Sequence, residues 1–308
     1  MNLREIGEGA LIRKIREKFQ NQQGVTVGIG DDAAVFDLPS GYSAVFCSDL
    51  VAENTHFIRN LHPPDSIGYK AVAVNVSDVG AMGGVPMHFL ISLAAPGDLD
   101  VAWLDGFLDG VERACTDFEV SLVGGDSSSS GQIFVDVSMI GRVPTGRAVV
   151  RSGARTGDNI YVTGTLGGSM LGLELLKAGR KGDPAVTRHL YPRPRHRVGV
   201  AVSDRAHAMI DVSDGLSTDL GHILDESHVS ARVYKDKIPA APGTQDTHVL
   251  HGGEEYELII VGPELPAEVE GITLTRIGEV IPSPLDHQLF LIDGVRESVL
   301  KPQGWQHF

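Results

Sequence analysis

The sequence predicts a mixed α/β (α+β) fold divided into two domains, and three observations lead to this prediction. The chain has 308 residues, which is enough for two domains of ordinary size. Strand-like apolar runs and amphipathic helical segments occur in both halves of the chain. A stretch rich in glycine and arginine around residue 148 separates the halves, so we place the domains at 1–147 and 148–308.

In the first domain, the spacing of apolar residues predicts three helices and five strands. The helix over 101–118 has the clearest pattern, because Val101, Leu104 and Leu108 recur at helical spacing. The other two helices are predicted over 3–19 and 64–82. The strands are predicted over 25–29, 43–47, 88–94, 120–123 and 132–143.

The second domain repeats the alternation of strands and helices. Its helices are predicted over 166–176 and 217–226, and the proline- and arginine-rich stretch 189–197 is interpreted as a linking segment. The strands are predicted over 159–163, 208–212, 229–233, 257–261, 273–280 and 288–292.

Composition excludes several classes of protein. A formal net charge of −14 argues against nucleic acid as a main partner, because phosphate backbones need a basic surface. No run approaches the roughly 18 to 20 apolar residues of a membrane span, and the N-terminus has no signal-peptide core. The two cysteines, Cys47 and Cys115, do not form a CxxC pair. We therefore expect a cytoplasmic protein without disulfides or a membrane partner.

Carboxylates recur beside apolar runs along the chain. Clustered carboxylates repel one another unless they are protonated or bind cations, and Mg²⁺ prefers such hard oxygen ligands. The pattern alone leaves two interpretations open, a shared magnesium site or separate turn and helix-cap residues. The carboxylates are Asp31 and Asp32 after "VGIG", Asp49 after "AVFCS", Asp78 inside a predicted helix, Asp126 after "SLVGG", and Asp211 and Asp214 in "MIDVSDG".

Other motifs are less specific. The glycine-rich stretch "GTLGGSMLG" (164–172) could cradle an anion, but it lacks the GK[ST] ending of a P-loop, and a close helix–strand turn is favoured. The histidines of "HVLH" (248–251) are interpreted as structural, and His56 stays open between a site residue and a surface residue. No GxSxG or cysteine elbow indicates a nucleophile.

Read in order, seven stretches of the chain resemble the thiamine-monophosphate kinase family. This family lies in the PurM-like superfamily of aminoimidazole ribonucleotide synthetase, selenophosphate synthetase and the hydrogenase-maturation dehydratase. The stretches run from about residue 28 to 261: "GIGDDAAVF", "SDLVAENTHF", "GYKAVAVNVSDVGAMGGVP", "LVGGD", "GRAVVRSGARTGDNIYVTGTLG", "IDVSDGLSTDLGHIL" and "HGGEEYEL".

The resemblance implies a two-domain fold in which the N-terminal domain forms a dimeric β-barrel and the C-terminal domain is a sheet covered by helices. It implies ATP-dependent phosphorylation of thiamine monophosphate by a homodimer that uses several Mg²⁺ ions. Two alternatives stay open. One is a superfamily member that uses ATP on another phosphorylated small molecule, and the other is a protein that binds nucleotide or thiamine phosphate without turnover.

The resemblance also implies roles for individual residues. The metal ligands would be Asp32, Cys47, Ser48, Asp49, Asp78, Asp126, Asp211 and Asp214. ATP would contact Gly125, Asp126, Arg151 and Ser213. The thiamine substrate would contact His56, Glu254 and Trp305. The transfer itself would depend on Asp78, Asp126, Asp211 and Arg151, while Asp31 would shape its turn or help a second metal.

Four positions depart from the family's common pattern. Ser129 stands where arginine is common, Gly168 where aspartate is common, and Glu255 where a shorter aspartate is common. Cys47 replaces a hydroxyl residue and is a poorer Mg²⁺ ligand, which would be harmless if its main-chain carbonyl binds the metal. The departures bear more on the anion contacts and the substrate than on the metal ligands.

Overall fold

The computed structural model describes residues 5, 8–19, 25–27, 35–283 and 287–305. The chain forms two compact units, one of Met1–Val79 with Val85–Thr145 and the other of Gly80–Gly84 with Gly146–Phe308. The boundary that the sequence predicts between residues 147 and 148 stays a prediction. One feature was not anticipated, since five residues of the first half, Gly80–Gly84, belong to the second unit.

The first unit contains a four-stranded sheet and three described helices. The strand order is β3-β6-β4-β5, with β4 and β5 parallel and the other neighbours antiparallel, and β1 pairs separately with β2. The elements are α1 (Glu8–Lys18), β1 (Val25–Val27), β2 (Val35–Phe36), β3 (Tyr42–Ala52), α2 (Pro64–Ala81), β4 (Val85–Ala95), α3 (Val101–Phe118), β5 (Ser121–Ser129) and β6 (Phe134–Pro144).

Strict alternation in β6 explains how this sheet has one buried and one open face. Val135, Val137 and Met139 are fully buried, while Asp136 and Ser138 between them are partly exposed. The helices α2 and α3 approach so closely that a Cβ atom at Gly110 would collide with the main chain of Asp65. Val79 of α2 lies against Gly141 of β6, so α2 packs on the buried face of the sheet.

The second unit is built on one eight-stranded sheet. Its order is β14-β13-β9-β12-β7-β10-β8, and β11 pairs with β12. The elements are β7 (Asn159–Thr163), α4 (Gly168–Lys177), α5 (Pro184–Leu190), α6 (His196–Val202), β8 (Ala208–Asp211), α7 (Leu216–Ser227), β9 (Ser230–Tyr234), α8 (Asp246–His251), β10 (Leu258–Gly262), β11 (Glu268–Val269), β12 (Ile272–Ile281), β13 (Leu289–Asp293) and β14 (Arg296–Val299).

Both faces of this second sheet are covered. Along β10, Ile259 and Val261 pack into one apolar cluster, while Leu258 and Ile260 pack into another. A strand whose successive side chains enter two different cores is buried on both faces. The mixed α/β fold class is therefore confirmed. The shared β-barrel requires a second chain and stays a prediction.

Several predicted elements need correction. The stretch 189–197 is not a simple link, because it contains the end of α5 and the start of α6. Asp183 caps α5 by accepting the N–H of Ala185, and Pro184 takes the first helical position, so the sequence carries a helix-start signal at these two residues. The helix α8 was not predicted either.

The predicted strands over 43–47 and 120–123 are too short. Because β3 continues to Ala52 and β5 to Ser129, Asp49 and Asp126 lie within strands and not after them. Main-chain pairing sustains a strand through polar positions when one face of the sheet is open. Among the described helices, none has the length and apolar character needed to cross a membrane.

Candidate active site

In the first unit, Asp136 is held between two hydroxyl groups. Ser48 Oγ donates to Asp136 Oδ1 at 2.9 Å, and Ser138 Oγ lies 3.4 Å from Asp136 Oδ2. Ser48 and Ser138 face each other across β3 and β6, with their hydroxyls 3.2 Å apart. Asp136 was not predicted as a site residue, and its only signal in the sequence is its place among the alternating apolar residues of β6.

Strand register places a second carboxylate in the same row. Asp136 is paired with Ser92 of β4, and Ser92 is paired with Asp126 of β5. Two strand spacings separate Asp126 from Asp136, which is about 10 Å. Asp126 is exposed and accepts the N–H of Ser127 at 2.8 Å. The neighbouring Gly125 must be a glycine, because a Cβ atom there would collide with the main chain of Ile91.

The predicted ligands on β3 divide between its two sides. Ser48 is exposed, whereas Cys47 and Asp49 on either side of it are half-buried, as expected for alternating side chains. The Cys47 thiol lies 3.5 Å from the Asn75 side-chain oxygen, within α2. Asp78 follows Asn75 by nearly one turn of the same helix and is half-buried. The structure therefore gives the Cys47 thiol a protein partner.

His56 and Asp32 are the two remaining predicted residues of the first half. His56 lies in the turn that follows β3, where its Nδ1 accepts the main-chain N–H of Ala52 at 3.0 Å. This bond fixes the ring locally. Asp32, together with Asp31, lies outside the described residues.

In the second unit, three carboxylates converge after β8. Asp219 Oδ2 accepts the main-chain N–H groups of Asp214 at 3.1 Å and Gly215 at 2.9 Å. Burial, and then the charges of Asp211 and Asp214, raise the pKa of Asp219 to about 8. Carboxylates that repel one another are the donor set that a divalent cation relieves. The residues present therefore fit Mg²⁺.

Asp219 and His222 were not predicted as site residues. One ligand atom each from Asp214, Asp219 and His222 lie within 4.8 Å of one another. Asp219 sits in the first turn of α7 and is almost fully buried, while His222 is exposed. Their signal in the sequence was the three-residue spacing of a carboxylate and an imidazole on a helix.

The loop after β8 is joined to two distant parts of the chain. The N–H of Glu254 donates to the Ser213 carbonyl at 2.7 Å, and the N–H of Trp305 donates to the Asp214 carbonyl at 3.2 Å. A Cβ atom at Gly253 would lie 2.5 Å from the Ser213 carbonyl oxygen. The structure thus brings the predicted nucleotide residue Ser213 beside two predicted thiamine contacts. The Trp305 side chain is 51% exposed.

A buried ionic network lies beside this junction. Glu257 accepts hydrogen bonds from Arg195 Nε and Nη2, both at 2.7 Å, and from Thr163 Oγ1 at 2.6 Å. Arg188 Nη2 lies 3.1 Å from Glu257 and 2.8 Å from Glu255. Burial raises the pKa of Glu255 to about 7, against the opposing charge of Arg188. Glu257 therefore has two arginine partners, whereas Glu255 has one.

The glycine-rich stretch 164–172 forms the turn between β7 and α4 and the first half of α4. The N–H of Ser169, in the first turn of α4, donates to Glu255 Oε1 at 2.8 Å. A Cβ atom at Gly168 would lie 2.7 Å from Arg188 Cδ. Since the chain's own carboxylate takes this N–H group, the geometry favours the close-turn interpretation over an anion cradle.

Arg151 is exposed and begins a short 3₁₀ turn over Arg151–Gly153. Its main-chain carbonyl accepts a hydrogen bond from Ser227 Oγ at 2.7 Å, at the end of α7. The same hydroxyl accepts the N–H of Ala154 at 3.1 Å. These contacts fix the backbone beneath the Arg151 side chain.

Comparison with known proteins identifies the class to which this fold belongs. The family model of the AIR synthase related protein N-terminal domain matches residues 30–143, and that of the C-terminal domain matches residues 155–287. Together they define a two-domain protein of the AIR synthase related type.

Individual relatives narrow this class. The thiamine-monophosphate kinase of Escherichia coli (strain K12) is 36% identical over 325 residues, covering 98% of each chain. The thiamine-monophosphate kinase structure from Stenotrophomonas maltophilia K279a has a TM-score of 0.83 at 31% identity, covering 94% of this chain and 97% of that one. The structure of "AaThiL complexed with AMPPCP and TMP" has a TM-score of 0.80 at 35% identity, covering 100% and 99%. The chain belongs to the thiamine-monophosphate kinase family.

Proposed function

We propose that this chain transfers the terminal phosphoryl group of ATP to thiamine monophosphate and so forms thiamine diphosphate and ADP. The observation that carries the proposal is a pair of hydrogen bonds at the loop after β8. The Glu254 N–H donates to the Ser213 carbonyl, and the Trp305 N–H donates to the carbonyl of the next residue, Asp214. The full-length likeness to thiamine-monophosphate kinases, one of them complexed with AMPPCP and TMP, supports it.

The acidic residues of each unit would hold Mg²⁺. The bound ions would neutralise the charge of the phosphates and orient them for in-line transfer. Since the Cys47 thiol is engaged with Asn75, Cys47 would contribute its main-chain carbonyl. The ligands in the first unit would be Asp32, Cys47, Ser48, Asp49, Asp78 and Asp126, and those in the second would be Asp211 and Asp214.

The acceptor is itself a phosphate anion, so the reaction needs little general-base catalysis. The main obstacle is repulsion between two anions, which positive charge and fixed geometry overcome. Arg151 would contact the nucleotide phosphates, with its backbone held by Ser227. Gly125 and Ser213 would approach the nucleotide with their main chains, and Asp78, Asp126 and Asp211 would carry the charge on which transfer depends.

The thiamine side of the site would involve His56, Glu254 and Trp305. Thiamine carries a positively charged thiazolium ring, which an aromatic face or a carboxylate attracts. The exposed Trp305 indole would supply the face, and the partly exposed Glu254 would supply the carboxylate.

We also propose that the protein is a cytoplasmic homodimer. Exposed apolar side chains lie on the open face of the first sheet, including Phe46 at 69%, Leu50 and Leu90. A second copy of the chain would cover them, because contiguous exposed apolar surface is typical of interfaces. The two cysteines are unpaired with each other, as expected in a reducing compartment.

The test is to mix purified protein with ATP, Mg²⁺ and thiamine monophosphate, and to measure thiamine diphosphate by chromatography. Free thiamine is the control acceptor, and EDTA is the control for metal. We expect product only with thiamine monophosphate and metal. ADP formation with a different phosphorylated acceptor would favour the superfamily alternative. Binding of ATP without any turnover would favour the binding protein.

A further inference from the structure

Two consecutive residues of α5 contact two consecutive carboxylates of the segment 253–256. Arg188 Nη2 lies 2.8 Å from Glu255 Oε2, and His189 Nδ1 lies 3.4 Å from Glu254 Oε2. The side chains of His189 and Glu255 are buried, whereas Glu254 is 27% exposed. One short helix therefore holds the base of the segment that presents Glu254.

Ser169 of α4 links these two contacts. Its main-chain N–H donates to Glu255 Oε1 at 2.8 Å, and its hydroxyl lies 3.0 Å from His189 Nδ1. Glu255 consequently has a hydrogen bond from Ser169 at one carboxylate oxygen and an ion pair with Arg188 at the other. A side chain fixed at both oxygens has little rotational freedom.

The held segment has an unfavourable backbone. Glu254 and Tyr256 adopt left-handed conformations, with φ of 58° and 53°, on either side of Glu255. Such conformations cost free energy in residues other than glycine and persist only where the surroundings enforce them. The N–H groups of Glu255 and Tyr256 both donate to the Val212 carbonyl, at 3.1 and 2.9 Å.

We propose that Arg188 and His189 are positioning residues for the phosphate acceptor. They hold Glu255 and Glu254 so that the Glu254 carboxylate faces the acceptor in one fixed orientation, beside the Ser213 loop. This inference rests on the proposed function for the identity of the acceptor, thiamine monophosphate. The positioning itself rests on the contacts described.

Arg188 is not the sole neutralising partner of the neighbouring acid, Glu257. Glu257 has two hydrogen bonds from Arg195 and one from Thr163, in addition to Arg188. Loss of Arg188 therefore leaves Glu257 with an arginine partner. The same loss leaves Glu255 with the Ser169 N–H, and it also removes the bonds from Arg188 to Thr165 in the turn before α4.

The experiment compares His189→Leu, Arg188→Met and the nearly isosteric Glu255→Gln with the wild type. Arg276→Gln is the matched control, because Arg276 also pairs with an acid, Glu279, but is exposed and lies outside this network. We expect KM for thiamine monophosphate to rise roughly tenfold, with KM for ATP changed by less than about twofold. Arg188→Lys should restore part of the loss. Equal changes in both KM values, or none in folded variants, would overturn the proposal.

A second readout does not depend on turnover. Hydrogen exchange at the bonded amides of Glu254, Glu255 and Tyr256 should accelerate about tenfold or more in the three variants but not in Arg276→Gln. Unchanged exchange would refute the positioning. If the wild type formed no thiamine diphosphate, the proposed function would fail, and exchange on the same variants would still decide the positioning.

Discussion

The main-chain N–H of Glu254 donates to the main-chain carbonyl of Ser213 at 2.7 Å. The two residues are far apart in sequence, and Glu254 adopts a left-handed conformation at this contact. The bond joins the loop after β8 to the segment that precedes β10. The bond therefore couples Ser213, which is predicted to contact the nucleotide, to Glu254, which is predicted to contact the acceptor. A distortion of the backbone at this bond would affect both contacts.

Gly253→Ala should damage this junction. The added Cβ would lie 2.5 Å from the Ser213 carbonyl oxygen, so one of the two segments must move. We expect a loss of unfolding free energy of about 1 to 3 kcal/mol and a large loss of activity. Thermal unfolding and steady-state kinetics measure these. Gly131→Ala, where a Cβ meets no atom within 4 Å, is the control. A fully active, fully stable Gly253→Ala variant would contradict the tight contact.

Asp78→Asn should abolish turnover while the protein stays folded. The substitution removes one negative charge at almost constant volume, so it acts on metal binding and not on packing. Activity against Mg²⁺ concentration and circular dichroism make the test. Asp98→Asn, at an exposed position of the same unit, should behave as the wild type. Wild-type turnover in Asp78→Asn would rule out Asp78 as a metal ligand.

Trp305→Ala should weaken binding of the acceptor more than binding of ATP. The exposed indole is available to stack on a cationic ring, and we expect KM for thiamine monophosphate to rise roughly fivefold to thirtyfold. Trp305→Phe keeps an aromatic face and should recover much of the affinity. If KM for ATP rises by the same factor, the residue acts by holding the chain against Asp214.

Glu255 should make stability depend on pH. Burial raises its pKa from 4.5 to about 7, so the folded protein binds this proton more tightly than the unfolded chain. The unfolding free energy should therefore fall as pH rises from about 4.5 to about 7. Glu255→Gln should flatten that decline, and Glu268→Gln, at an exposed position, should not. Denaturant unfolding at several pH values gives the slopes, and parallel slopes in all three proteins would contradict the expectation.

Phe46→Glu should separate a homodimer into monomers. Phe46 is 69% exposed on the open face of the first sheet, where a charge would be tolerated in a monomer but not in an apolar interface. Sedimentation or light scattering reports the mass. Val295→Glu, at a fully exposed position of the second unit, is the control. A wild-type protein that is monomeric at assay concentrations would end the dimer proposal.

Periodic elements were predictable, and those without a long period were not. The helix over 101–118 and the strand over 159–163 have the predicted bounds, because apolar side chains repeat along them. The short helices α5 and α8 have too few turns to show a repeat. The predictions for β3 and β5 ended too early, at polar residues, although main-chain pairing continues to Ala52 and Ser129.

Some residues of the candidate site were likewise predictable from the sequence, and others were not. The predicted Asp211, Ser213, Asp214, Glu254 and Trp305 lie together in the second unit. Asp136, Asp219, Arg188 and His189 were missed, because their importance depends on neighbours that are remote in the chain. The roles of all these residues stay predictions until the variants are measured.

The sequence by itself determined the mixed α/β class, the family and the order of the acidic motifs, because periodicity and local motifs are properties of neighbouring residues. Only the tertiary structure decided which groups meet. The strand register places Asp136 in one row with Asp126. The fold of the second unit brings Glu254 within hydrogen-bond distance of Ser213. Folding also enclosed Glu255 between Arg188 and Ser169. Such contacts join residues far apart in the chain, and they follow from packing and hydrogen bonding that no local pattern specifies.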